Sequence, residues 1–512
     1  MRRREFLRGT AVVSVPYLLN GCGLTLPVAR PPAEPQPEDP WLQHFAIDSR
    51  GLSRALDALG SRGGDFGEIY YQDRRTSALR WNSGTVLTRT SDAFSGAGLR
   101  VVKGQQSGFR HTEALDAESL VSAALAAAAD VGMGEPQPRD GTGLQFSSPA
   151  EVYPEGSATE GLELGANIAE RLESQVRAAE PGVAEVDINL TLVDEWVLMA
   201  MLDGRLVADR RPMFRLSAQA VMSGGGETHS GFAALSLRQT IDQADADRET
   251  VARIDDLATT VVDRTRELFD ARRPPEGRMP VVLAAGSSAV LLHEAVGHAF
   301  EADFVREGES PIGRAGDPEV ASEVVTLVDD ATQAYQRGSL NVDDEGEAGR
   351  RTVLVERGRL NTLLYDKREA LAAGTASTGN GRRASYAFEP LPRASCTYIE
   401  SGLDEPDALV EAMGQGIVAE TVIGGAGEAG GGSFQFRIKH GWYVEDGRRR
   451  VPVRDFMLSG NGLEMLRDIR QVANDGAFDM AGWTSEKKGQ SVPVSQGIPS
   501  MLVAALNVKP LS

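Results

Sequence analysis

Pro274-Pro275 limits how this chain can fold more than any other pair of residues in it. The apolar spacing from about Ile241 to Ala271 has a helical period. Two consecutive prolines end it, because each lacks a backbone N–H and its ring clashes with the preceding turn. A second break is the polar, Pro- and Gly-bearing stretch from Gly134 to Glu155. The breaks divide the body into units at about 49–133, 150–273 and 279–510. The first unit opens with a short helix, Gly51 to Leu59. Alternating segments Glu68–Gln72, Ser77–Trp81 and Val86–Thr90 then read as strands around an Asn82-Ser83-Gly84 turn. A hairpin about Gly104 and a helix over Ala117–Val131 complete it. The second unit repeats that order of elements: helical residues 157–179, strands near 184–191, 195–201, 205–208, 213–222 and 230–237, then the long helix. The third is rich in glycine and short strands. The expected fold class is α+β, with N-terminal α+β units followed by a β-rich C-terminal domain.

Composition narrows the chemistry. After the N-terminus no segment reaches the roughly 18 continuous apolar residues of a membrane span. A formal net charge of −20 argues against nucleic acid as a partner. There are two cysteines, Cys22 and Cys396, which excludes a disulfide framework and a four-cysteine zinc site. Catalysis therefore falls to histidines, carboxylates and hydroxyls.

The first 22 residues read as an address. Arg3-Arg4-Glu5-Phe6-Leu7-Arg8 fits a twin-arginine export signal, and Gly9–Leu19 is a short apolar run of signal type. Leu19-Asn20-Gly21-Cys22 fits a lipoprotein cleavage box, with ordinary cleavage near Ala29 as the alternative. Residues 23–48, Pro-rich between Arg30 and Trp41, suit a tether. The expectation is an exported protein, periplasmic or in the cell envelope. A lipid on Cys22 would be its only hold on a membrane.

In the third unit Pro280–Ala285 reads as a strand, Gly286-Ser287-Ser288 as a turn and Ala289–Phe304 as a helix. That helix contains His293-Glu294-Ala295-Val296-Gly297-His298. Two imidazoles can hold a metal ion, and an adjacent carboxylate can take a proton from water that the ion acidifies. The common zinc-peptidase helix spaces its histidines by four. Here the spacing is five, which on a regular helix turns the rings about 140° apart. A local distortion is required; a π-bulge at Gly297 is the expected one.

His293–Phe304, preceded by a strand and a Ser/Gly turn, resembles the signature of the TldD/PmbA family of metallopeptidases. Further stretches agree in order: Val101–Gly104, Val342-Asp343-Asp344-Glu345-Gly346, Leu391-Pro392-Arg393 with Thr397-Tyr398-Ile399, Pro452-Val453-Arg454, Gly460-Asn461-Gly462 and Lys488–Val494. The resemblance spans about residues 60–505. It implies a zinc peptidase for unfolded or extended peptides, with one Zn2+ per chain, His293 and His298 as ligands and Glu294 as general base. It also implies a dimer, either of two copies or with a PmbA-like chain that lacks the metal motif.

One position departs from the family. Its third zinc ligand is a cysteine, and Ser485 stands at that place. A neutral hydroxyl is a much poorer zinc ligand than a thiolate. Glu301, Cys396 and Glu486 are the candidate substitutes; a weaker site without one, or loss of catalysis with the fold retained, are the other readings. Three further signals read as structural. Gly425–Gly430 fits G-x-G-x-x-G but leads into a strand, not the helix a dinucleotide site needs. Asp343-Asp344-Glu345-Gly346 reads as a solvated turn. His440, beside Trp442 and Tyr443, reads as a packing residue.

Overall fold

A computed structural model describes residues 39–132, 143–147, 151–153, 161–312, 318–428 and 432–511. The Arg3-Arg4 pair, Cys22 and most of the tether lie outside the described residues. Trp41–Ser512 form one compact unit.

The strands of the two N-terminal segments share a single sheet. Strand Phe66–Asn82 pairs antiparallel with Thr85–Lys103 on one side and with Val183–Met201 on the other, from Glu68 opposite Met201 to Asn82 opposite Asp187. Val183–Met201 is long enough to take two further partners. Its first half pairs with Met213–Gly224 and its second with Arg205–Arg210. Helices Ser49–Leu59 and Ala117–Val131 cover one half of this sheet, burying Ile69, Tyr71, Leu99 and Val101. Helices Leu162–Ala179 and Arg248–Asp270 cover the other half, over Ile188, Leu190 and Leu216. The expected long helix is divided at Asp247. Ile241–Ala246 ends there, and the extended Asp247 caps Arg248–Asp270 by accepting the Thr250 N–H.

Alternation along the strands sends Glu68, Tyr70, Gln72 and Arg100 to the opposite face. That face is covered by the C-terminal domain, and it carries a buried ionic junction. Arg100 stands opposite Glu68 in the sheet register, bonds both its oxygens at 2.9 and 3.1 Å, and also bonds Glu345. Arg383 reaches Glu68 at 2.7 Å, and Arg211 reaches Asp344 at 2.6 Å and Asp209 at 2.9 Å. Asp343, Asp344 and Glu345 are thus buried and are not the solvated turn their composition suggests. Arg100, in strand Thr85–Lys103, and Arg211, just after strand Arg205–Arg210, are distant in sequence and supply the charge that makes burial tolerable.

The C-terminal domain has two six-stranded sheets. In one, Arg448–Asn461, Ser433–Glu445, Gly416–Gly427, Gly277–Leu283 and Met501–Pro510 run in that order, and the last pairs back onto the first, closing a ring. The second contains Leu327–Asp330, Arg351–Glu356, Cys396–Ile399 and Ser495–Ile498. Between them, helix Ala289–Val296 is packed in the largest core, with Leu291, Leu292 and Ala295 among Ile417, Phe434, Phe436 and Phe456.

Candidate metal centre

The helix after strand Gly277–Leu283 is almost wholly buried; Glu294 alone is half-buried. At Val296 the backbone leaves helical geometry, with φ −141° and ψ −19°, and Gly297–Phe300 continues as a 3-10 turn. The expected π-bulge is absent. Ending the helix one residue before Gly297 frees His298 from the regular angular spacing, which solves the same problem. The His293 and His298 rings stand with centroids 5.2 Å apart. Glycines allow this crowding. A Cβ on Gly427 would meet the Glu294 carbonyl oxygen at 2.1 Å, and one on Gly462 would meet that of Ala295 at 2.1 Å.

His293 is 1% exposed, and among the described residues neither of its ring nitrogens has a hydrogen-bond partner. Burial pushes its pKa down to about 3, with His298 acting in the same direction, so the ring is neutral at neutral pH. A buried polar group with no partner costs about 1–3 kcal/mol, and a neutral imidazole is what a metal ion requires. His298 is oriented differently. Its Nδ1 lies 2.9 Å from Glu301 Oε2, leaving Nε2 as the free nitrogen. A carboxylate on the far nitrogen is the usual means of aiming and strengthening a metal-binding imidazole.

Glu301 is itself fixed. Lys487 Nζ lies 2.8 Å from Glu301 Oε2, 2.6 Å from Asp303 Oδ1 and 2.9 Å from the Pro392 carbonyl oxygen. Burial would raise the Glu301 carboxyl, but Lys487 and His298 outweigh it and hold it well below the usual carboxylate range. Glu294 is different: burial raises its pKa, and His298 and Arg393 only partly oppose this. Raising a carboxylate toward neutrality makes it a stronger base.

The four candidate positions for a third ligand have separate fates. Along strand Thr484–Lys487, Ser485 and Lys487 face inward while Thr484 and Glu486 face out. Glu486 is exposed and bonded to Ser491 Oγ. The Ser485 hydroxyl accepts from the buried Arg393 guanidinium at 3.0 Å, and the Ser485 carbonyl accepts at 2.7 Å. Cys396 is buried near Ser339, and burial pushes its thiol up to about 12, far from a thiolate. Glu301 is the orienting carboxylate just described. Among the described residues no group of three or more His, Cys, Asp or Glu side chains is arranged to hold an ion. The donors fit an ion held by two imidazoles, with its other positions left to water or substrate. Lys487 and Arg393 are supporting residues that the sequence leaves without a role, and Asp303, which reads there as a cavity-lining residue or a charged helix end, supports Lys487. In a sequence, charged side chains read as surface, and only the matched stretches around them offered a signal.

Three family models match the chain in order: PmbA/TldA metallopeptidase domain 1 at residues 67–130, the central domain at 149–269 and the C-terminal domain at 276–510. Relatives include a metalloprotease TldD homolog of Haemophilus influenzae, 32% identical over 90% of this chain and 96% of that one. A metalloprotease TldD homolog of Buchnera aphidicola is 31% identical with the same coverage. A zinc metalloprotease TldD homolog of Saccharolobus solfataricus is 33% identical over 46% of this chain and 52% of its own length. The fold is shared with a Thermotoga maritima protein named for modulation of DNA gyrase (TM-score 0.72, 21% identity, 91% of this chain and all of that one). It is also shared with TldE from Thermococcus kodakarensis (TM-score 0.63, 18% identity, 88% of this chain and 99% of that one). With matching models along nearly its whole body and TldD relatives above 30% identity, the chain belongs to the PmbA/TldD metallopeptidase family.

Proposed function

We propose that the chain is a zinc-dependent endopeptidase acting on unfolded or extended peptides, with His293 and His298 holding the ion and Glu294 as general base. The observation that carries this reading is His293, buried with both ring nitrogens unpartnered among the described residues, beside an imidazole that Glu301 already orients. A divalent ion bound there supplies Lewis acidity to water and to the scissile carbonyl. Glu294 takes the proton of the attacking water and returns it to the leaving amine, a role its half-buried position suits. Lys487 and Asp303 keep Glu301 in place, and Glu301 keeps the His298 ring in the tautomer that offers Nε2. Arg393 clamps the strand that carries Ser485 and Lys487.

The test is metal removal. Cleavage of a permanently unfolded polypeptide should stop after chelation and return on adding back zinc. Cleavage indifferent to both treatments would rule the proposal out.

A second reading is a non-catalytic subunit of the same fold that binds peptide or a partner chain. It is favoured by one observation: Arg393 holds the hydroxyl at the position where the family has its cysteine ligand. On the N-terminal pattern we further infer export by the twin-arginine route and a lipid on Cys22, and on the family resemblance a dimer with a second copy or a PmbA-like chain. Trypsin-resistant, membrane-associated material that becomes soluble in a Cys22→Ala variant would support the anchor.

A further inference from the structure

Strand Thr85–Lys103 is paired unevenly. One side lies along Phe66–Asn82, but on the other Gln106–Thr112 covers only Ala97–Lys103. Among the described residues Thr85–Gly96 is therefore a free sheet edge. It is also open on both faces: Leu87 to Ser95 are all exposed, with Leu87 at 50% and Phe94 at 40%. Edges left in water are normally blunted by lysine, proline or short length, because their unpaired N–H and C=O groups recruit other strands. This edge has neither residue type, and Arg89 and Asp92 are its only charges. A bulge at Leu87, where Trp81 faces Val86 and Arg80 faces Thr88, is its one irregularity.

The edge suits a copy of itself. Two identical edges join antiparallel about a two-fold axis normal to the sheet. Such an axis keeps each face on its own side, so residues oppose one another only within one face, and the axis passes at a residue rather than between two. Beyond the bulge Thr88, Thr90, Asp92 and Phe94 share one face, and Arg89, Ser91 and Ala93 the other. An axis at Arg89 would set two arginines against each other, and one at Asp92 two aspartates; like charges directly opposite are destabilising. An axis at Ser91 leaves Leu87 opposite a serine, Ser95. With the axis at Thr90, Thr88 meets Asp92 of the second copy and can donate to it, and Arg89 meets Ser91. The exposed Leu87 and Phe94 then come beside Ala93 and Val86 of the second copy.

We propose that Thr85–Gly96 is a docking edge for a second copy of this chain: the two edges pair antiparallel about Thr90, and the two N-terminal sheets become one. This rests on the dimer inferred above from the family resemblance and adds where it forms. A two-fold contact of this kind uses up both edges and closes at two copies, so it covers the edge without starting a fibre.

The test uses the full chain carrying Cys22→Ala, in which the buried Cys396 is the one remaining thiol. Sedimentation equilibrium should find a dimer, and adding Thr90→Lys should raise its dissociation constant roughly 10-fold or more, since two like charges then stand opposite each other. Adding Thr90→Cys instead should give a disulfide-linked dimer on oxidation, because Cβ atoms directly opposite lie about 4.5–5.5 Å apart, close to disulfide range. Leu125→Cys, exposed on helix Ala117–Val131, should give none. Should Thr90→Lys fail to fold, the cross-link still decides. A dimer undiminished by Thr90→Lys and not linked through Thr90→Cys would lie on another surface and overturn the proposal while leaving the dimer itself standing. A parent chain that stays monomeric at micromolar concentration would overturn both.

Discussion

Glu294→Ala should lower kcat/KM on an unfolded polypeptide by roughly 10²- to 10⁴-fold, the usual contribution of a positioned general base, while the chain keeps its metal and its melting temperature. Three features of the site set that expectation. Glu294 is the one half-buried residue on an otherwise buried helix. Burial raises its proton affinity. No neighbouring cation pairs with it among the described residues, whereas Glu301, seven positions on, is held by Lys487 and His298. The two carboxyls are thereby separated in role: one is a base, the other a fixed support. Glu294→Gln should lose activity to a similar extent, since it keeps the shape and removes the base. If the chain is instead a non-catalytic subunit, parent and variant should show the same background rate.

The second large effect is on stability. Arg100→Ala should destabilise the fold by about 3–5 kcal/mol, the cost of removing one partner from a buried ion pair. Arg100 is 1% exposed and serves Glu68 and Glu345, both also buried, so its loss strands two carboxylates across the junction between the N-terminal sheet and the C-terminal domain. Burial alone would raise the Glu68 carboxyl; Arg100 and Arg383 outweigh it and hold it below its usual value. A carboxyl with a depressed folded pKa contributes stability that is present above the unfolded value, about 4.3, and is lost as pH falls through the folded one. The junction therefore weakens only in acid. Denaturant unfolding at neutral pH measures the loss. A Glu68→Gln, Arg100→Met double variant should cost less than the sum of the single changes. A loss below 1 kcal/mol for Arg100→Ala would show that the junction is wet and weak.

The metal helix, its Ser/Gly turn, the histidine pair and the need for a distortion near Gly297 were all legible in the sequence, because each is encoded within a dozen adjacent residues. So were most strands of the N-terminal half, through their alternation. Partners were not. The period of Phe66–Asn82 says that it is a strand, but nothing local says that Ile69 lies opposite Ala200 as well as Leu99. Two units that look separate therefore share a sheet. The same limit explains Asp343–Glu345. Three consecutive acids read as solvated until Arg100 and Arg211, more than 100 residues away, are brought to them. It also explains Lys487, whose burial depends on Glu301 and Asp303. The break at Val296 shows the remaining limit: the spacing of His293 and His298 demands a departure from the helix, but ending the helix and bulging it satisfy the spacing equally.

The central claim is that two imidazoles, without the family's cysteine, hold a metal ion in this chain. Elemental mass spectrometry of the purified protein beside His293→Ala tests it most directly. The account predicts close to one zinc per chain, lost in the variant. No metal in the parent, even after zinc loading and dialysis, would contradict it.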